Sequence, residues 1–348
     1  MARGSGRFKR GLMVAVAGLL VFVLGGCRLY GGGPQSVNSP AGDNMRKIWD
    51  LFVPIFWASV VVFVIVQGVL IYAIIRFRRR PNQPAPVPTH GNTKLEIAWT
   101  IMPAIILAVI AVPTLTTIAD FAKKPGPGAL TVQVVGHQWW WEFDYPGQKV
   151  VVADEMHIPV GTKIEVELAS ADVIHSFWIP KLAGKQDVVP NQHNHLSFTA
   201  EEIGTFDGQC AEFCGAQHAN MRFDVVVESQ DDFNKWIAQM QQPAAQLNTS
   251  DQLAVQGQQV FFSAGCVGCH TINGPQVNGQ SANGNVGPNL THVGSRGIIA
   301  GGVLTQTEAN IAKWVHDPPS VKPGTKMPKL GLTQAQANAV AHYLESLK

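Results

Sequence analysis

The sequence predicts a multidomain chain: a two-helix transmembrane hairpin, an all-β sandwich of Greek-key type, and an all-α C-terminal domain. Three observations carry this prediction. Residues 49–77 and 97–118 are apolar over the roughly 20 positions that a helix needs to cross a bilayer core. Between residues 130 and 228, short β-branched and partly alternating runs are punctuated by Gly136, Gly147, Gly161 and Gly204, the texture of a sandwich. The last ~100 residues, a single-domain length, place amphipathic helical patterns after the segment Cys266-Val-Gly-Cys269-His270. A chain of 348 residues has room for two soluble domains beside membrane segments. Its formal net charge of +2 and its composition point to no nucleic-acid partner.

Residues 1–27 read as a lipoprotein-type signal peptide. Arg3, Arg7, Lys9 and Arg10 precede an apolar run, and Leu24-Gly25-Gly26-Cys27 resembles the bacterial lipobox, in which the cysteine is acylated. An uncleaved anchor with Cys27 as an ordinary thiol is the alternative. Residues 28–46, rich in Gly, Pro and Ser, are expected to form a flexible tether. The hairpin spans 47–119. Arg76, Arg78, Arg79 and Arg80 sit in its connecting loop, which the positive-inside tendency places in the cytoplasm, with both soluble domains outside. Pro54, Pro103 and Pro113 are tolerated in membrane helices. Glu96, at the cytoplasmic end of the second span, is either a carboxylate reaching the interface or part of an ion pathway.

The β domain covers 127–230 and contains Cys210-Ala-Glu-Phe-Cys214-Gly-Ala-Gln-His218-Ala-Asn-Met221. Thiolates, a thioether and an imidazole select copper over hard cations. Steps of four, four and three let one tight loop aim all of them at a small volume, and two thiolates can bridge two metal ions. His175, in Asp172-Val-Ile-His175-Ser, is the candidate for a further imidazole. A structural Cys2His2 zinc site would leave Met221 idle and needs histidines closer in sequence. All five cysteines are accounted for by the signal and two cofactor motifs, which leaves no pair for a structural disulfide.

These motifs resemble subunit II of the haem-copper oxidases. The resemblance implies a cupredoxin fold and a dinuclear copper centre, CuA, held by the side chains of His175, Cys210, Cys214, His218 and Met221 and by the Glu212 backbone carbonyl. It implies that Trp139, in Gln138-Trp139-Trp140-Trp141, lies above the copper as the point where electrons arrive; three adjacent indoles on a strand would alternate faces. It places Glu96 at the mouth of a proton channel into subunit I. The family also carries a magnesium ion at that subunit boundary, for which Glu212 is the candidate. His137, His157, His193 and His195 are read as structural or solvent-facing.

Residues 231–250 are expected to form a closing amphipathic helix and a polar linker. In 251–348, Cys-x-x-Cys-His is a c-type haem attachment signature: Cys266 and Cys269 form the thioethers and His270 binds the iron. Met327, the only methionine after that motif, is the natural second axial ligand. Gly287-Pro288-Asn289-Leu290 also resembles cytochrome c, and helices are expected over 307–315 and 333–347, giving an all-α class I cytochrome c. His292, His316 and His342 receive no assignment.

With both domains, the resemblance is to subunit II of a caa-type cytochrome c oxidase, a multi-pass protein of the bacterial cell membrane. It implies electron flow from a donor, such as a cytochrome c or an upstream respiratory complex, through haem c and CuA to the haem of subunit I. There oxygen is reduced with coupled proton transport. Subunit II of a CuA-containing nitric oxide reductase and a copper-binding assembly factor are the alternatives. Residues 130–228 hold 14 acidic and 5 basic side chains, a formal −9, whereas 251–348 hold 4 acidic and 6 basic, a formal +2. Lys322, Lys326 and Lys329 flank Met327, so the cytochrome is expected to present a lysine-ringed haem edge to the acidic surface near Trp139.

Overall fold

The two apolar segments form the helices α1 (Asp43–Arg76) and α2 (Thr93–Phe121), each long and apolar enough to cross a membrane. The computed structural model describes residues 33–79, 88 and 90–348, so the signal segment, Cys27 and Arg80 lie outside the described residues. Side chains such as Phe63, Ile75 and Leu107 point outward along the hairpin, as lipid contact requires. The Thr100, Thr114 and Thr117 hydroxyls donate back to carbonyls four residues earlier, which satisfies them without water. Lys47 pairs with Asp120 and joins the outer ends of the two helices.

The flexible tether expected over 28–46 ends sooner than composition suggests. Helix α1 already begins at Asp43, and residues 41–45 are packed on the sandwich. Ala41 and Gly42 pair with Lys181 and Ala200, the Asn44 amide donates to the Ser197 carbonyl at 2.6 Å, and Lys163 reaches Asp43 at 2.9 Å. Backbone groups near the membrane find partners on the β domain, and Gly and Pro content alone does not reveal those partners.

Ten strands make the sandwich. One sheet contains β1 (Leu130–His137), β2 (Trp140–Tyr145), β3 (Val150–Ala153), β5 (Lys163–Ser170) and β8 (Asn194–Thr199), in the order β3-β2-β1-β5-β8. The other contains β4 (Glu155–Pro159), β6 (His175–Trp178), β7 (Lys185–Val188), β9 (Gly204–Cys210) and β10 (Arg222–Glu228), in the order β4-β10-β9-β6-β7. Burial alternates along β1, β2, β5, β9 and β10, and the parallel pairs β1/β5 and β4/β10 arise where the chain crosses between sheets. The core is aromatic. Phe177 and Phe223 stack at 4.6 Å, and Trp141 meets both edge-on. Such pairs add about 0.5–1.5 kcal/mol each beyond area burial.

Helix α3 (Gln230–Met240) closes the sandwich. Its N-cap Ser229 accepts from Asp232, and Phe233 and Ile237 are buried. After the linker come α4 (Gln252–Ser263), α5 (Glu308–His316), α6 (Pro318–Val321) and α7 (Gln334–Glu345), with a capping box formed by Thr333 and Gln336. Phe261 of α4 meets Tyr343 of α7 edge-on at 5.9 Å. Two short hairpins, β11/β12 (Thr271–Val277, Gln280–Asn283) and β13/β14 (Ile298–Ile299, Leu304–Thr305), are added to the expected helices.

Candidate copper and haem sites

The donors expected to bind copper meet at one end of the sandwich because the sheet puts them there. His175 opens β6 and Cys210 ends β9, and these strands are neighbours. The loop from Cys210 to Met221 is pinned at its base by Cys210 N–H donating to the Met221 carbonyl at 2.9 Å, where β9 turns into β10. Inside that loop the Cys210 and Cys214 sulfurs lie 3.7 Å apart. His175 Nδ1 is 3.9 Å from Cys210 Sγ, His218 Nδ1 is 3.6 Å from Cys214 Sγ, and Met221 Sδ is 3.7 Å from Cys214 Sγ. The Glu212 carbonyl is 3.2 Å from Cys210 Sγ, while the Glu212 side chain is exposed. All six expected donors are therefore gathered, and the ligand atoms of His175, Cys210 and Cys214 lie within 4.8 Å of one another.

The protonation of the set suits a cation. The hydrogen bond between the two sulfurs holds Cys210 well below the usual thiol range and pushes Cys214 up, so the pair keeps one proton that a metal would displace. His175 Nε2–H donates to Asp172 at 2.9 Å, which leaves Nδ1 as the free lone pair facing the sulfurs. Soft donors in this density fit copper, and two thiolates this close can each touch two metal ions.

The haem motif lines a cavity of about 410 Å³, within the roughly 300–1,000 Å³ of ligand pockets. Cys266, Cys269, His270 and Met327 all border it. His270 Nδ1 is 2.8 Å from the Pro288 carbonyl. A carbonyl only accepts, so Nδ1 carries the proton and Nε2 is left for iron. Burial pushes the Cys266 thiol up to about 11. Residues and space thus fit a covalently held haem.

The same cavity is walled on one side by the β domain, through His137, Gln138, Trp139, Trp140 and Asp172. Trp139 is not on a strand with its two neighbours; it lies at the tip of the β1–β2 hairpin, after a cis Gln138–Trp139 peptide bond. Trp141 alone enters the core, and Trp140 stacks on His137 at 4.2 Å. The Trp139 indole N–H donates to the Cys214 carbonyl at 3.0 Å. Its ring is so close to the two cofactor loops that a Cβ on Gly215 would lie 3.0 Å from it and one on Gly324 would lie 3.6 Å from it. One indole is thus wedged between the copper loop and the loop that carries Met327.

The expected lysine ring is only partly realised. Lys326 pairs with Asp172 at 2.9 Å, but Lys329 turns to Asp317 of its own domain, and Lys322 is buried. Glu96 occupies the first turn of α2, exposed, behind the N-cap Asn92. Sequence reasoning missed Asp172, His137 and the burial of Lys322. His137 Nε2 is buried with no hydrogen-bond partner among the described residues, and burial draws its pKa down to about 4. Only the fold brings it to the cavity. His157 pairs with Glu228 and stacks on Trp236, and His342 bridges Asp251 and Glu308; these are structural.

Comparison with known proteins follows the same division. The family model for the periplasmic domain of cytochrome c oxidase subunit II matches residues 147–230, and the model for its transmembrane domain matches 33–117. A cytochrome c model matches 254–348. Cytochrome c oxidase subunit 2 of Alkalihalophilus pseudofirmus is 37% identical over 89% of this chain and 90% of its own length. The chain belongs to the cytochrome c oxidase subunit II family. Cytochrome c oxidase subunit 2 of Bacillus subtilis is 33% identical over 97% of both chains. The solved periplasmic domain of subunit II from Bradyrhizobium japonicum is 32% identical over 33% of this chain and 95% of that one, with a TM-score of 0.32. Membership brings a copper-binding and a haem-binding domain together on one membrane-anchored subunit.

Proposed function

We propose that this subunit II accepts electrons at a haem c held by Cys266, Cys269, His270 and Met327 and passes them to a dinuclear copper centre. The copper ligands are the side chains of His175, Cys210, Cys214, His218 and Met221 with the Glu212 carbonyl. When bound, haem iron and copper supply one-electron redox chemistry. The observation that carries the reading is the gathering of six soft or neutral donors within one loop and its neighbouring strand, with Trp139 wedged between that loop and the haem loop. Trp139 links the two sites through its hydrogen bond to Cys214 and the closeness of its ring to Gly324, where an added Cβ would lie 3.6 Å from it.

The partner is subunit I of the oxidase, together with its other subunits, in a bacterial cell membrane with both cofactor domains outside. The exposed Glu212 carboxylate is the candidate for a magnesium ion at that boundary. Glu96, in the first turn of α2, marks the mouth of a proton channel. The donor is a cytochrome c or another respiratory complex, and Cys27 is the candidate for acylation.

Metal analysis of the purified full-length chain tests the central assignment. Two copper ions per chain are expected, with loss of both in Cys214→Ser. One copper, or zinc that copper does not displace, would overturn the dinuclear reading.

A further inference from the structure

Lys322 stands on the loop that carries Met327, and its side chain reaches across to the copper domain. It is 3% exposed. Its ammonium donates to the carbonyls of Trp139 at 2.7 Å, Asn220 at 2.8 Å and Ala300 at 2.7 Å. An ammonium has three protons, so every N–H is used and none is left for water. Two of the acceptors belong to the copper domain: Trp139 at the hairpin tip, and Asn220, which directly precedes Met221. The third lies in the β13–β14 turn of the cytochrome domain. Burial draws the Lys322 pKa down to about 8, with the Asp154 carboxylate opposing the fall, so the group stays charged at neutral pH.

The surroundings are built for this contact. Gly301 has φ +69°, and a Cβ there would lie 2.5 Å from both Lys322 Nζ and the Trp139 carbonyl. Its N–H donates to buried Asp154 at 3.0 Å, and its carbonyl accepts from Arg222 N–H at 3.0 Å. The Gly297 and Ile298 N–H groups donate to Glu155, itself 8% exposed, at 2.5 and 3.1 Å. Lysine is almost never fully buried unless paired. In a detached cytochrome domain, Lys322 would lose both copper-domain acceptors.

We propose that Lys322 is a positioning residue that locks the cytochrome domain onto the copper domain, so that electron transfer between the haem and copper loops needs no docking step. Contacts between exposed charges steer transient partners and weaken with salt. A lysine sealed against three carbonyls instead holds one geometry. The inference rests on the cofactor reading above for its functional half only, because the lock itself is a property of the chain.

The test uses the purified oxidase with full-length chains, and compares wild type, Lys322→Met and, as control, Lys329→Gln. In the wild type the amides of Arg222, Gly297 and Gly301, which bond only across the domain boundary, should be strongly protected from hydrogen exchange. In Lys322→Met their exchange should speed up on the order of tenfold or more, because three buried carbonyls lose their donor. Sandwich amides such as Val134 should not change, and Lys329→Gln should match wild type. Gly301→Ala crowds the same ammonium from the other side and should reproduce the pattern. Flash-induced haem-to-copper transfer should be indifferent to salt and glycerol in wild type and become glycerol-sensitive in Lys322→Met. The lock is overturned if those three wild-type amides exchange as fast as linker amides, or if both variants leave exchange and transfer unchanged. Optical spectra taken on the same samples report the cofactors, so failure of the copper or haem assignment is seen separately.

Discussion

Asp172→Asn is the most informative single substitution, because one carboxylate serves two sites. One oxygen accepts from His175 Nε2–H at 2.9 Å and Val173 N–H at 2.8 Å; the other accepts from Gln138 N–H at 2.8 Å and Lys326 at 2.9 Å. Burial works against the charge, but the hydrogen bonds from Lys326, His175 and the two backbone amides outweigh it and hold the carboxyl well below its usual range. On the copper side, the carboxylate fixes the His175 tautomer and raises the basicity of Nδ1. Losing such a partner costs about 10- to 100-fold in metal affinity, roughly 1.4–2.8 kcal/mol. On the docking side the Lys326 side chain is 59% exposed. Solvent screening limits that pair to about 0.2–1 kcal/mol. The copper effect should therefore dominate: a chelator competition on the full-length chain should show copper held about 10- to 100-fold more weakly, while the Arg222 amide stays protected. Copper affinity within about twofold of wild type would refute the role assigned to the His175–Asp172 pair. So would loss of interdomain protection with copper binding intact.

If, as proposed, Met327 is the axial ligand and Cys266 and Cys269 hold the ring, Met327→His should lower the haem potential while the haem stays attached, because axial identity tunes the iron; an unchanged potential in redox titration means another residue binds the iron. Asp224 concerns stability. Burial, with Glu155, Asp207 and Asp154 adding repulsion, raises its pKa from 3.8 to about 6. The folded state therefore binds its proton more tightly than the unfolded state, and a stability cost appears as pH rises through that window and is complete above it. Asp224→Asn should stabilise the chain at pH 7 by about 1 kcal/mol after allowing for solvent screening. The gain should vanish below the lower end of the window. Thermal denaturation on both sides of the window checks this, and an equal gain at both would exclude titration of Asp224 as the cause.

Much of this architecture is legible locally. The spans, the strand-rich middle and the helical end follow from hydrophobic period and length, which are properties of contiguous residues. The copper and haem motifs are legible for the same reason: Cys210 to Met221 and Cys266 to His270 are short enough for covalent spacing to bring their donors together. His175 is 35 residues from Cys210 and was recognisable through the family resemblance; pairing of β6 with β9 is what delivers it.

The relation between the two domains had no such signal. Charge counts led to an expectation of three lysines facing an acidic surface, and only Lys326 makes that kind of contact, with Asp172. The Trp triplet looked like one strand, but the hairpin turns at Gln138 and Trp139 and leaves Trp139 free to bridge two loops. His137 reaches the haem cavity only because β1 ends there. Lys322 is the clearest case. Its partners are the carbonyls of Trp139, Asn220 and Ala300, and every residue has a carbonyl. The sequence determines which groups each domain carries; the tertiary structure decides which backbone acceptors converge on one buried ammonium, because backbone acceptors carry no residue identity.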